Sequence, residues 1–270
     1  MLTMMQRNEI LNFLVEHGRY YEIPKNKEAT ISNNELLYHL AGDDEDSKEK
    51  FQSRMDYLRS EGILQKTQGG GGGVWRWNER ELEKLIVDLS SQDEKFFYPY
   101  LAKSLPTYFE EVIHSSRKYE FSNIANKRGP DQPGRHSRPD FVGIGVWQSI
   151  LTNQKRISTH TIEVKTAKNL SIASVGETVC HRDIMESNYL LVCNINDNEL
   201  ESRPDYGRMF SLCWQLDVGL ILAPDVEDIS TWTEKVFAKD DELTVEVENW
   251  LLEQKELHPK LRKLGLNVPK

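Results

Sequence analysis

The 270-residue chain is poor in cysteine, has no long apolar run and carries no excess of positive charge. Its three cysteines, Cys180, Cys193 and Cys213, form no C-x-x-C pair and leave an odd thiol. That excludes a disulfide framework or a zinc knuckle and fits a reduced cytoplasm. The apolar runs are short, residues 218–223 being typical, against the ~20 residues that span a bilayer, so no membrane partner is expected. The first 18 residues break their apolar positions with Gln6, Arg7, Asn8, Glu9 and Asn12, as an amphipathic helix does and a secretory signal does not. With 34 Lys and Arg against 43 Asp and Glu, the formal net charge is −9. Spread evenly, that charge would argue against a nucleic-acid partner, because neutralising phosphates takes clustered cations. It is not spread evenly. Residues 117–168 hold ten Lys and Arg against four Asp and Glu, whereas residues 225–256 oppose a run of acids with only Lys235, Lys239 and Lys255.

What is present falls into two patterns. Over the first eighty residues, Ile10, Phe13, Leu14 and Val15 mark a helix ending near Gly18. Ser32-Asn33-Asn34-Glu35 is a capping box that opens a second helix, with Leu36, Leu37 and Leu40 as its apolar stripe. Asp46-x-x-Glu49 opens a third, with Phe51, Met55 and Leu58 at i, i+4 and i+7 and a stop at Gly62. A glycine run at 69–73 separates Ile63-Leu64-Gln65-Lys66 from Val74-Trp75-Arg76-Trp77, which predicts a hairpin. Residues 81–92 read as a connector helix. From residue 93 helices and strands alternate: a helix to about 115, strands at 119–124, 141–147 and 160–166, a helix at 175–187, a strand at 189–194, a helix at 206–216 and a strand at 218–223. This is an α/β layer pattern. Residues 225–270 read as an acidic, largely helical extension.

The chemistry is concentrated in Arg138-Pro139-Asp140-Phe141 and Thr161-Ile162-Glu163-Val164-Lys165. On a strand, Glu163 and Lys165 share one face while Ile162 and Val164 turn into the core. An aspartate opening the neighbouring strand can converge on them, and carboxylates with water and a carbonyl make an oxygen site for Mg²⁺ or Mn²⁺. A lysine beside them can orient or deprotonate a water and offset charge on phosphorus, and the sequence leaves both roles open to Lys165.

Pro139-Asp140 with Glu163-x-Lys165 resembles the PD-(D/E)xK, restriction-endonuclease-like superfamily, whose core would cover residues 93–224. The N-terminal eighty residues resemble a winged helix-turn-helix domain. The resemblance implies metal-dependent hydrolysis of DNA in bacterial defence or DNA processing. Asp140 and Glu163 would then hold the metal, Lys165 would be catalytic, and an acid on the preceding helix would complete the site. Glu94, opening Glu94-Lys95-Phe96-Phe97-Tyr98-Pro99, is the first choice, with Glu110 and Glu111 as alternatives. DNA contacts would fall to Lys48, Lys50, Gln52, Arg54 and Arg59 on the third helix and Arg76 on the wing. Arg128, Arg135 and Arg138 before the site and Arg182 after it would add to them, and His181 would either contact a phosphate or serve the structure. Because one centre cuts one strand, cleavage of both strands implies a homodimer. Two other readings stay open: a nucleic-acid binder or transcriptional regulator that does not cut, and a nuclease for RNA or structured DNA.

Overall fold

The structure is a computed structural model, described over residues 2–20, 28–67, 73–125, 138–149, 153–181, 185, 187–238 and 245–268. The chain divides into two compact units, Met1–Asp88 and Leu89–Lys270.

In the first unit α1 (Met4–Tyr20) buries Ile10, Leu11, Leu14 and Val15. Strand β1 (Glu28–Ser32) turns Ala29 and Ile31 inward. Ser32 then caps α2 (Asn33–Ala41), its hydroxyl accepting from the Glu35 amide. Helix α3 (Glu45–Ser60) buries Phe51, Met55 and Leu58; its cap is Asp44, two residues earlier than the Asp46 box predicts, because the Asp44 carboxylate accepts from the Ser47 amide. Strands β2 (Gln65–Thr67) and β3 (Val74–Asn78) pair antiparallel, and β1, which the sequence pattern did not reveal, pairs on the other side of β3. Alternation sends Trp75 and Trp77 into the core, where Trp77 Nε1 donates to the Leu14 carbonyl at 3.1 Å. Helix α4 (Glu79–Leu85) packs on α1 through buried Leu82. The stretch expected to start a connector therefore belongs to this unit's core.

The second unit is a mixed α/β fold around a six-stranded sheet. Helix α5 (Glu94–Tyr108) runs into a π-type turn at Phe109–Ile113, then β4 (Lys118–Asn123), β5 (Phe141–Gln148) and β6 (Lys155–Thr166) form an antiparallel meander. Helix α6 (Ile172–Val179) crosses over to β7 (Ser187–Cys193), parallel to β6. Short α7 (Asp197–Glu201) and α8 (Tyr206–Gln215) lead to β8 (Val218–Ala223), also parallel, and β9 (Thr233–Val236) closes the order β4-β5-β6-β7-β8-β9 antiparallel to β8. Helix α6 ends well before the expected 187, since the chain from Ser187 is needed as a fully buried strand.

Both faces of the sheet are covered, as parallel strands require. On one face α5 and its π turn lay Phe97, Leu101, Leu105, Tyr108 and Phe109 on Phe121, Phe141, Ile162, Val164 and Tyr189. Gly143 and Gly145 of β5 lie opposite Phe121 and Tyr119 of β4, whose rings occupy the space that a Cβ would fill. On the other face α8 packs on Leu190, Val192, Leu220 and Leu222. Beside it α9 (Val245–Glu253) and α10 (His258–Lys263) cover Val142 and Ile144 through Val247, Leu251 and Leu261. Residues after 224 are thus no appendage: they supply an edge strand and part of a layer, and Lys260 and Lys263 of α10 pair with Glu120 on β4. Among the described residues no helix is long and apolar enough to cross a membrane.

Candidate active site

The β5–β6 register pairs Phe141 with Ile162, so one further step sets Asp140 across from Glu163. Both lie where β5 begins and β6 nears its C-terminal end, the edge at which open α/β sheets bind ligands. The backbone amide of Val164 donates to Asp140 Oδ2 at 2.8 Å, and the Tyr98 hydroxyl of α5 donates to Oδ1. Tyr98 packs edge-on against Phe141, which fixes the direction of that hydroxyl.

Glu163 and Lys165 project from the opposite face of β6 to buried Ile162 and Val164, as strand alternation requires. Lys165 Nζ lies 2.6 Å from Glu163 Oε1 and 2.8 Å from Glu177 Oε2 of α6. His181, just beyond α6 and 1% exposed, places Nε2 at 3.1 Å from Glu163 Oε2. Helix α6 is aimed by its start: Ser171 and Ser174 form a capping box, and the Arg203 guanidinium grips the carbonyls of Ala167 and Leu170 in the turn from β6.

The electrostatics separate the two acids. Burial, with the negative charge of Glu163 beside it, pushes the Asp140 carboxyl up to about 6. Burial would raise Glu163 too, but the His181 hydrogen bond and the Lys165 charge outweigh it and hold its carboxyl below the usual range. Lys165 is likewise opposed by burial, yet Glu163 and Glu177 together lift its ammonium above the ordinary lysine value. The Tyr98 phenol is raised by burial and by the charge of Asp140, so it is a donor and not a phenolate.

Of the three acids considered on the preceding helix, Glu94 belongs to this neighbourhood. It stands one turn before Tyr98 and, like Asp140, acts electrostatically on Tyr98 and on buried Cys193 at the end of β7. Its Oε1 accepts from Asn169 Nδ2 at 2.8 Å. Glu110 lies about 24 Å further along the helix at 1.5 Å per residue, accepting from the Tyr119 amide, and Glu111 is exposed beside it. Among the described residues no three His, Cys, Asp or Glu side chains converge as a ready-made metal site. The metal reading therefore rests on Asp140 and Glu163. As a donor set this pair fits a hard divalent cation that keeps water in the rest of its shell, and the proton that burial and Glu163 favour on Asp140 marks repulsion such a cation would relieve.

The expected nucleic-acid contacts fare differently. Lys48 is paired with Glu45 at 2.9 Å, Gln52 donates to Asp56 at 2.8 Å, and Arg54 pairs with Glu9 at 3.5 Å while lying over the Phe51 ring. Lys50 and Arg59 on α3 and Arg76 on β3 are exposed. Between α2 and α3 a groove of about 760 Å³ is lined by Glu45, Glu49 and Asp56 against the single cation Lys48, so this side of α3 is net acidic. Arg138 lies two residues before Asp140, its Nη1 buried and without a hydrogen-bond partner among the described residues. Arg128, Arg135 and Arg182 lie outside the described residues. His181, for which the sequence leaves phosphate contact and a structural role both open, is turned onto Glu163.

Sequence reasoning missed Tyr98 and Glu177. The available signal was spacing: Tyr98 follows Glu94, and His181 follows Glu177, each by four residues, which aligns them on one helical face. Comparison of the chain with protein-family models, with curated proteins and with solved structures finds no match.

Proposed function

We propose that the protein is a metal-dependent nuclease of the PD-(D/E)xK type acting on DNA. The observation that carries this reading is the convergence of Asp140, Glu163 and Lys165 at one sheet edge, a half-buried and a buried carboxylate with a lysine held 2.6 Å from the buried one. Asp140 and Glu163 would hold Mg²⁺ or Mn²⁺, with Glu94 nearby to act through water. Such an ion, when bound, lowers the pKa of a coordinated water and stabilises the leaving oxygen. The chain's own groups do the rest. Tyr98 and the Val164 amide fix Asp140, and His181 and Lys165 fix Glu163. Glu163 and Glu177 favour the charged form of Lys165, so we assign it to orient the attacking water and stabilise charge on phosphorus.

The order α1-β1-α2-α3-β2-β3, with sheet order β1-β3-β2, supports a winged-helix reading of the first unit. The acids on that side of α3 limit what it offers to a phosphate backbone; of the expected contacts, Lys50, Arg59 and Arg76 are exposed.

The test is cleavage of plasmid and linear duplex DNA, single strands and RNA by the purified chain in Mg²⁺ or Mn²⁺. Cutting that disappears in Asp140→Ala and Lys165→Ala is expected; inert substrates, or variants that cut like the parent, overturn the reading. A second reading, binding without cutting, has one observation in its favour: every oxygen of Asp140 and Glu163 already accepts from a protein donor. Metal-independent DNA binding unchanged in Asp140→Ala, with no cleavage, would establish it.

A further inference from the structure

We infer that Glu177 is a positioning residue for Lys165, the anchor that holds the ammonium in place independently of Glu163; the inference rests on the nuclease reading of the site. The geometry is a two-rung ladder. Two residues along β6 advance about 6.6 Å, and the end of α6 with the hydrogen-bonded turn after it carries the chain one further turn from Glu177 to His181. The antiparallel passage of α6 over β6 therefore lets Lys165 meet Glu177 and Glu163 meet His181. The sequence form is E-x-K on the strand followed by E-x-x-x-H on the crossover.

The rungs differ in what they must do. Glu163 is shared among Lys165, His181 and the proposed cation, so its grip on Lys165 is divided. Glu177 has no such competing duty in the site: it lies 2.8 Å from Lys165, and its side chain is 38% exposed. An ammonium has three donors. With one on Glu163 and one on Glu177, the third is aimed by the other two toward a water or phosphate oxygen. A lysine on four flexible carbons with one shared anchor would sample several positions, and small displacements of a catalytic group cost rate steeply.

The experiment uses the full chain, with Glu177→Ala, Glu177→Gln and Asp140→Ala beside the parent. Three quantities are read: Mn²⁺ affinity without DNA, kcat and KM for plasmid cleavage, and the ¹⁵N signal of the Lys165 ammonium in Mg²⁺. For Glu177→Ala, kcat falls about tenfold, KM moves less than about threefold and Mn²⁺ affinity stays within about twofold of the parent. Glu177→Gln, which keeps an acceptor at the same reach, recovers most of kcat. A role confined to stability would lower Tm in both variants without this split or rescue. Parental kcat in Glu177→Ala overturns the inference, as does Mn²⁺ affinity lost as in Asp140→Ala, or a Gln variant no better than Ala. If the parent cuts nothing, the nuclease reading fails and the ammonium signal decides the positioning alone. Its loss in Glu177→Ala with retention in Glu177→Gln upholds it; an unchanged signal in Glu177→Ala overturns it.

Discussion

In the Met1–Asp88 unit Lys48 of α3 pairs with Glu45 one turn away, the lysine side chain 25% and the acid 83% exposed. In the Leu89–Lys270 unit a lysine of the same chemical type sits between Glu163 and Glu177 with 15% of its side chain exposed, beside a histidine that is all but sealed. Solvent and salt screen the first kind of pair, so it organises little beyond its own helix turn. The second is desolvated and shifts the ionisation of its members. Counting Lys and Arg along the sequence treats both alike; burial separates a solvated face from a site.

The sharpest way to break this comparison is to damage each unit at its strongest point. Trp77 is buried and its indole nitrogen bonds the Leu14 carbonyl. Trp77→Ala should cost the first unit about 3–5 kcal/mol, read as early loss of its transition in denaturant, while exposed Arg76→Ala next to it stays within about 0.5 kcal/mol. In the second unit Lys165→Ala should lower cleavage by about 10²–10³-fold, the range for removing a donor aimed at developing charge, with a smaller loss of stability than Trp77→Ala because Glu163 keeps its His181 partner and Glu177 is 38% exposed. Equal loss of stability in Trp77→Ala and Lys165→Ala would erase the distinction between packing and site.

How much of this could be read in advance depends on whether contacts follow from alternation or from register. Glu163 and Lys165 on one face, with Ile162 and Val164 opposed, follow from strand period alone, and Trp75 and Trp77 inward follow in the same way. Glu177 and His181 required the register of α6 on β6, which no local pattern carries. Strand β1 went unseen because only Ala29 and Ile31 mark its inner face, and β9 because Thr233–Val236 has a single buried apolar residue, Val236. Lys48, Gln52 and Arg54 of α3 were legible as residues, but their engagement by Glu45, Asp56 and Glu9 was not.

Smaller in effect, but specific to the second unit, is the pH dependence of stability. Asp140 has an ordinary value of 3.8 and a folded value of about 6. Between those limits the unfolded chain has given up this proton and the folded chain has not, so rising pH removes stability through that window and the loss persists above it. Glu163, shifted downward, acts in the opposite sense, contributing stability that is lost as pH falls. Asparagine at 140 cannot ionise. Metal-free Asp140→Asn should therefore gain about 1–3 kcal/mol over the parent at pH 7, and the gain should shrink toward pH 4. Denaturant titrations in EDTA at the two pH values check this; a gain that is the same at both would mean that Asp140 carries no retained proton.

The smallest expected effect bears on the first unit and is the most direct probe of its role. A lysine that touches a phosphate contributes about one to the slope of log K against log salt. Lys48 is already satisfied by Glu45 and lies beside Asp43 and Asp44, whose charges raise its ammonium value after its hydrogen bond to Glu45. Lys48→Ala should accordingly leave that slope unchanged within about 0.3 and DNA affinity within about twofold. Exposed Lys50→Ala should lower the slope by about one only if α3 faces the backbone. Should both substitutions lower the slope by about one, Glu45 releases Lys48 on binding and the acidic rim does not govern this face. If neither does, neither lysine of α3 meets the backbone, and DNA contact lies with Arg59, Arg76 or the second unit.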